Sequence, residues 1–538
     1  MKKNFLLLQS PQDVDYFLKQ NKFIFEKLIV FDHLTAIYCK KKGIKFLYLD
    51  KKKIFLNLEQ LFKNSSQTSL DIDKKLKRRL KIKDNLFSNF SYFSKDYSIF
   101  NFLGQNISDF IKKNRDTDFY YFSDDYKNEN YINGLISKIK KKNINLYEIK
   151  ILNNSLNHNN HYDFNKIFKK NEEKNSFIGP FLFFINIIIC FFLRLFKKEI
   201  YLNSDAKFKL QDNIINQSKK LDKFLLFCSV SIYKIKNFQS FDYKFLPDNY
   251  LSIFSSFLIY KARRIKYLIK LLDKIFDFDF FVTQAPTFKN NTLTDFFLKK
   301  RKKVYLLLHG GTTGHFIKSY YWPRLFPYIK NKKLFAGSYS KTLTQKFNKK
   351  SNKYFLQQHN LKLSYDFSIK PQYDFCYVLQ NNFNVNYCFY QNFNEPFNLY
   401  NFRNNFLNLC YKKNKSVQFS CYNSKDDIAC FNLIKKLKKK NLIKYKIYNF
   451  DEMFVSSQVI IFEQFSTSFI KAIIADHNKN LIMLDNPNLR IFPDQLKVLK
   501  KRVHIAQSYN DILKFIQIGA KKDKEKKVLK YFLNLYGL

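Results

Sequence analysis

From Pro371 onward the chain alternates short aliphatic runs with amphipathic ones, and no other feature of the sequence limits the fold so tightly. Strands are expected at Phe375–Leu379, Val417–Cys421, Lys444–Tyr448, Val459–Phe462, Leu481–Leu484 and Val503–Ala506. Helical runs fall between most of them, over 397–411, 425–439, 467–476, 494–501 and 509–518, and a basic helix is expected over 522–536. Continuous apolar runs are the mark of strands buried on both faces, and strands separated by helices pair in parallel. Six such βα units in about 170 residues predict a doubly wound nucleotide-binding domain.

The amino-terminal half repeats the pattern less regularly. Phe5–Leu8 reads as a strand, and Pro11 suits the first position of a helix capped by Ser10. Further strands are expected at Lys45–Leu49, Asp118–Phe122 and Asn145–Ile149, with helices over 60–115 and near 130–142. A second α/β stretch offers strands at Lys223–Cys228, at Phe278–Val282 and just before His309, with helices over 247–275 and near 291–300. The expected class is α/β: two Rossmann-like doubly wound domains, with helical insertions in the amino-terminal half. The expected divisions are 1–150, an α/β region; 151–222, a linker and an apolar helix; 223–370, a second α/β region; and 371–538, the nucleotide-binding domain.

Charge and cysteine usage narrow the function classes. Lys and Arg number 95 against 44 Asp and Glu, a formal +51, which would suit nucleic acid, anionic lipid or phosphorylated substrates. The lysines are spread along the whole chain, and this favours compositional bias over one nucleic-acid-binding face. The eight cysteines form no Cys-x-x-Cys pair, so neither zinc nor disulfides are expected; thiols such as Cys190 and Cys228 read as small core residues of a cytoplasmic protein. His158 and His161 lie in a polar loop without companion ligands, and Asp277-Phe278-Asp279 enters a strand instead of leaving one, so neither is read as a metal site. The apolar run at the amino terminus is too short for a signal peptide. Phe177–Leu193, followed by Arg194, Lys197 and Lys198, is the most apolar segment. Its 17 residues are marginal for a full crossing, which needs about 20. A buried helix, a helix lying in the membrane surface and a spanning helix all remain open there.

Two motifs carry the chemistry. Lys302–Leu308 is an aliphatic strand that runs into His309-Gly310-Gly311-Thr312-Thr313-Gly314-His315. The whole chain has only ten glycines, so a cluster of them marks backbone that needs positive φ or close approach to a ligand. An imidazole at a strand's carboxyl end sits where open α/β sheets bind ligands. The second motif runs from the strand Val459–Phe462 through Glu463, Gln464 and Phe465 to Ser466, Thr467 and Ser468 at a helix start. Helix-terminal N–H groups with added hydroxyl donors suit a phosphate; plain N-capping by Ser466 or Thr467 is the alternative.

Together these motifs resemble the GT-B fold, and more narrowly the bacterial surface-carbohydrate transferases: capsule and lipopolysaccharide glycosyltransferases and CDP-glycerol glycerophosphotransferases. The resemblance covers about residues 275–520. His309 and Gly310 match the family's His-Gly, and Ser466 with Thr467 match its paired hydroxyls. Lys471 stands where the glycerophosphotransferase pattern has an acidic residue.

The resemblance implies a metal-independent transferase without a cofactor, moving a glycosyl or polyol-phosphate group from a nucleotide-activated donor to a glycan or lipid-linked acceptor. His309 would be general base or phosphate partner, with His315 in reserve. Gly310, Gly311, Ser466, Thr467 and Ser468 would hold donor phosphate, and Glu463 the donor's sugar or ribose hydroxyls. The expected setting is cytoplasmic, with the inner membrane surface as a partner and no nucleic acid. A non-catalytic membrane-associated scaffold of polysaccharide assembly and a basic nucleic-acid-binding protein are the alternatives.

Overall fold

The computed structural model describes residues 2–20, 24–31, 33–49, 104–124, 145–151, 201–204, 272–283, 288–307, 333–337, 365–368, 370–379, 396–421, 430–447, 449–475, 477–485, 491–523 and 526–536, with single positions between them. The chain divides into two compact units, with β1–β7 in the first and β10–β15 in the second.

The first unit opens with β1 (Lys3–Leu8), α1 (Pro11–Lys19), β2 (Lys27–Val30), α2 (His33–Lys41), β3 (Leu47–Tyr48), β4 (Thr117–Asp124) and β5 (Leu146–Ile151). These strands form one sheet in the order β3-β2-β1-β4-β5, parallel throughout. Phe5, Leu6, Leu7 and Leu8 are all buried, as a central strand covered on both faces requires. A second sheet follows in the order β6 (Tyr201–Ser204), β7 (Phe280–Thr283), β8 (Lys303–Leu307) and β9 (Leu334–Gly337), with β6–β7 and β7–β8 parallel and α3 (Phe288–Lys299) joining β7 to β8. Asp277 turns the chain into β7 at φ 45°, and its exposed carboxylate pairs with Lys302 at 3.2 Å. The pair Asp277/Asp279 therefore precedes a strand, as the sequence suggested.

The second unit holds β10 (Tyr373–Val378), α4 (Pro396–Lys412), β11 (Val417–Cys421), α5 (Phe431–Lys439), β12 (Ile443–Ile447), α6 (Phe450–Val455), β13 (Ser457–Phe462), α7 (Thr467–Ile474), β14 (Asn480–Leu484), α8 (Pro493–Leu499), β15 (His504–Ala506), α9 (Tyr509–Ile518) and α10 (Lys527–Tyr536). All five neighbouring strand pairs are parallel, in the order β12-β11-β10-β13-β14-β15. Counted within this unit the order is 3-2-1-4-5-6, that of a doubly wound dinucleotide-binding sheet. The sheet of β1–β5 shows the same reversal between β1 and β4. Both are Rossmann-like.

The expected carboxy-terminal elements match the observed ones to within a few residues, apart from α5, which is described only from Phe431. Elements missed from sequence are short: β2, β6, β9 and α6, each of four to six residues, and the nine-residue α2. Few residues leave few periods of pattern to detect. The strand expected at Lys223–Cys228 lies outside the described residues. Cys39, Cys376, Cys410, Cys421 and Cys430 are all buried. Burial pushes the Cys39 thiol up to about 12, so it behaves as an apolar filler. Among the described residues, no helix is long and apolar enough to cross a membrane.

Candidate active site at a strand crossover

The strand order of the second unit reverses between β10 and β13, and this is where doubly wound sheets open a crevice at their carboxyl ends. The two strands run side by side to that end, with Val378 opposite Phe462. The Glu463 amide then donates to the Val378 carbonyl at 3.2 Å, so pairing continues one residue beyond the strand. Four residues later α7 begins. The turn Glu463–Ser466 is therefore held at the crossover from both sides.

Why the chain turns here follows from its residues. Ser466 adopts an extended backbone, and its Oγ accepts from the Phe469 amide at 3.3 Å, an N-cap. Phe469, Ile470, Ala472, Ile473 and Ile474 are buried against the sheet and α10. Each large apolar side chain buried in this way contributes about 1.5–3 kcal/mol. Phe465 is also buried and packs on Phe469 at 4.9 Å between ring centroids, which anchors the turn from below. Ser466, Thr467 and Ser468 are half-buried, and the first turn of α7 contains no acidic residue.

Beneath the turn lies a residue the sequence did not single out. Arg403, on α4, is completely buried and makes a two-pronged ion pair with Glu463: Nε donates to one carboxylate oxygen and Nη2 to the other. Burial alone would weaken the guanidinium's hold on its proton, but the Glu463 charge outweighs it and raises the affinity. Tyr377 of β10 is buried beside the pair; desolvation first, and then the Glu463 charge, push its phenol well above the ordinary tyrosine range. Glu463 was expected to meet donor hydroxyls. The structure instead has its carboxylate fully buried with Arg403 on both oxygens, so it braces the turn from inside. The available signal was compositional: arginine is scarce in this lysine-rich chain, and a bidentate fork is what arginine supplies and lysine does not.

Lys471 is held in an ion pair with α6. Its Nζ pairs with both oxygens of Asp451 on α6, at 2.9 and 3.0 Å, and Asp451 also accepts from the Tyr365 hydroxyl at 2.8 Å. Of the residues expected at the site, Glu463, Ser466, Thr467 and Ser468 thus come together in one turn. His309, Gly310, Gly311 and His315 lie outside the described residues; only β8, the strand that leads to them, is described.

No family model matches the chain, and no curated protein matches it. Among solved structures it is similar to the UDP-GlcNAc 2-epimerase of Methanocaldococcus jannaschii in complex with UDP-GlcNAc and UDP, at 17% identity over 52% of this chain and 82% of that one, TM-score 0.29. It is also similar to Os79 from O. sativa, in complex with U2F and trichothecene, at 10% identity over 54% and 79%, TM-score 0.36. Sucrose-phosphate synthase from Thermosynechococcus elongatus matches at 10% identity over 64% and 86%, TM-score 0.33.

Proposed function

We propose that the chain is a transferase whose carboxy-terminal unit binds a nucleotide-activated sugar or polyol, with the donor's phosphates at the Ser466–Ser468 helix start. The acceptor is a growing bacterial surface glycan or its lipid-linked precursor, met on the cytoplasmic side of the membrane. The supporting observation is the coincidence of three features: a strand crossover, a hydroxyl-bearing helix start directly after one of its two strands, and a first helical turn with no carboxylate.

The chemistry follows from that arrangement. N–H groups and hydroxyls aimed at a diphosphate stabilise the charge that grows on it as the bond to the transferred group breaks. They do so without reorganising, because the Arg403–Glu463 pair and the Phe465–Phe469 contact fix the turn beforehand. In this reading Glu463 is a positioning residue. His309 removes the acceptor's proton, with His315 as the reserve base and Gly310 and Gly311 shaping the backbone beside the phosphates.

A thermal-shift screen of nucleoside diphosphates and their sugar and glycerol conjugates tests the reading. At least one nucleotide should raise the melting temperature, and donor turnover should follow for its conjugate. His309→Ala should then leave donor affinity nearly intact while turnover drops by roughly 10²–10⁴-fold. A chain stabilised by no nucleotide would remove the donor site, and binding without turnover would favour the scaffold alternative.

A further inference from the structure

A second surface stands apart from the crossover. Ile188, Phe191, Phe192 and Leu195 are helical, and the Phe196 amide donates to the Phe192 carbonyl at 3.2 Å, so the helical turn carries through Phe196. The spacing i, i+3, i+4, i+7, i+8 puts all five side chains on one face. That face is open to solvent: Ile188 is 52% exposed, Phe191 64%, Phe192 54%, Leu195 62% and Phe196 72%. A helix that served as core would hide this stripe. Single exposed apolar residues are ordinary in folded proteins, but five in one row are an interaction surface.

The sequence around the stripe selects the partner. Arg194, Lys197 and Lys198 lie within and just after it, and no Asp or Glu occurs between Glu173 and Glu199. An apolar stripe with three cations and no acid within its own length suits a bilayer surface with anionic headgroups. On such a surface aromatic rings enter the acyl boundary, and lysine and arginine side chains are long enough to pair with the phosphates. A protein groove would satisfy the apolar face without needing the cations at Arg194, Lys197 and Lys198.

We propose that the face Ile188–Phe196 is a membrane-surface docking element that holds the protein on anionic lipid, with its helix lying in the interface plane. It is independent of the donor-phosphate reading, because vesicle binding requires no nucleotide.

Co-sedimentation of the full chain with vesicles tests this directly. The protein should bind vesicles containing phosphatidylglycerol and bind weakly to phosphatidylcholine alone. Phe191→Ser with Phe196→Ser should lower the vesicle partition constant by about tenfold or more. Lys197→Gln and Lys198→Gln should each lower it roughly fivefold on anionic vesicles and leave neutral ones unaffected. Should the serine variant misfold, Phe192→Trp in a Trp322→Phe background carries the test: its emission should shift to the blue when anionic vesicles are added. Equal binding to both vesicle types, or an unmoved Phe192→Trp emission, would overturn the proposal. So would a dimer in lipid-free solution that the serine pair abolishes, since a second copy would then cover the face.

Discussion

The helices α1 and α7 begin alike and end their first turns differently. Each starts with an extended serine N-cap a few residues past a strand at a crossover, β1 in one unit and β13 in the other. In α1 the third helical residue is Asp13, whose carboxylate accepts from the Gln9 amide at 2.7 Å and the Ser10 amide at 3.2 Å, while Ser10 Oγ accepts from the Asp13 amide. That helix start is closed by its own anion. In α7 the same position is Phe469, turned into the core, and the first turn of the helix carries no carboxylate of its own. The helix α9 repeats the closed form with Ser508 and Asp511. α4 and α5 also start without an acid, but neither leaves a crossover strand through so short a turn. Two helix starts that follow crossover strands thus differ in electrostatics: that of α1 is satisfied by its own Asp13, and that of α7 suits an external phosphate.

The largest expected effect tests what holds the α7 start in place. Arg403→Met leaves the Glu463 carboxylate buried without a partner and should cost about 3–5 kcal/mol in urea unfolding. The double variant Arg403→Met, Glu463→Leu should recover most of that loss. Full stability in the single variant would show that the pair does not brace the turn.

Next come changes that convert one helix start toward the other. Ser466→Ala with Thr467→Ala should weaken nucleotide binding by ~1–3 kcal/mol in calorimetry, since the backbone N–H groups remain. Ser468→Asp supplies the missing carboxylate. It should abolish measurable nucleotide binding while leaving the fold as stable or more stable by about 0.3–1 kcal/mol. Unchanged nucleotide affinity in Ser468→Asp would end the electrostatic distinction between the two starts. In α1, Asp13→Ala should do the opposite, lowering stability by about 1–2 kcal/mol with no effect on nucleotide binding.

The smallest effect is a pH dependence confined to the second unit. His504 Nε2 donates to the Gly519 carbonyl at 2.8 Å, and its buried Nδ1 has no hydrogen-bond partner among the described residues. Burial is the main cause that holds this imidazole below the ordinary histidine range; the Gly519 carbonyl opposes the shift, and the charges of Lys521 and Arg502 add to it. The unfolded chain therefore takes up this proton near pH 6.5, and the folded chain only at lower pH. Stability from this site is complete above about pH 6.5 and declines as pH falls below it. Chemical unfolding at pH values above and below that point should show the decline, and His504→Gln should flatten it.

The sequence by itself determined the class of sheet and the turn at its centre. Runs such as Val459–Phe462 and Leu481–Leu484 are apolar at every position, a pattern that only a strand covered on both faces satisfies, and the helices between them force parallel pairing. Ser466 before an apolar helix likewise announces its own N-cap, because capping is settled within four residues. Tertiary structure alone decided what Glu463 does. Its partner, Arg403, lies 60 residues away in sequence, and no local pattern distinguishes a carboxylate that faces a ligand from one buried against a guanidinium. The strand order was equally hidden. The same six βα units could be wound in several ways, and the crossover falls between β10 and β13 only because non-local pairing brings Val378 beside Phe462. Exposure of the Ile188–Phe196 stripe is of the same kind: periodicity defines an apolar face, but whether that face is covered depends on what the rest of the chain packs against it.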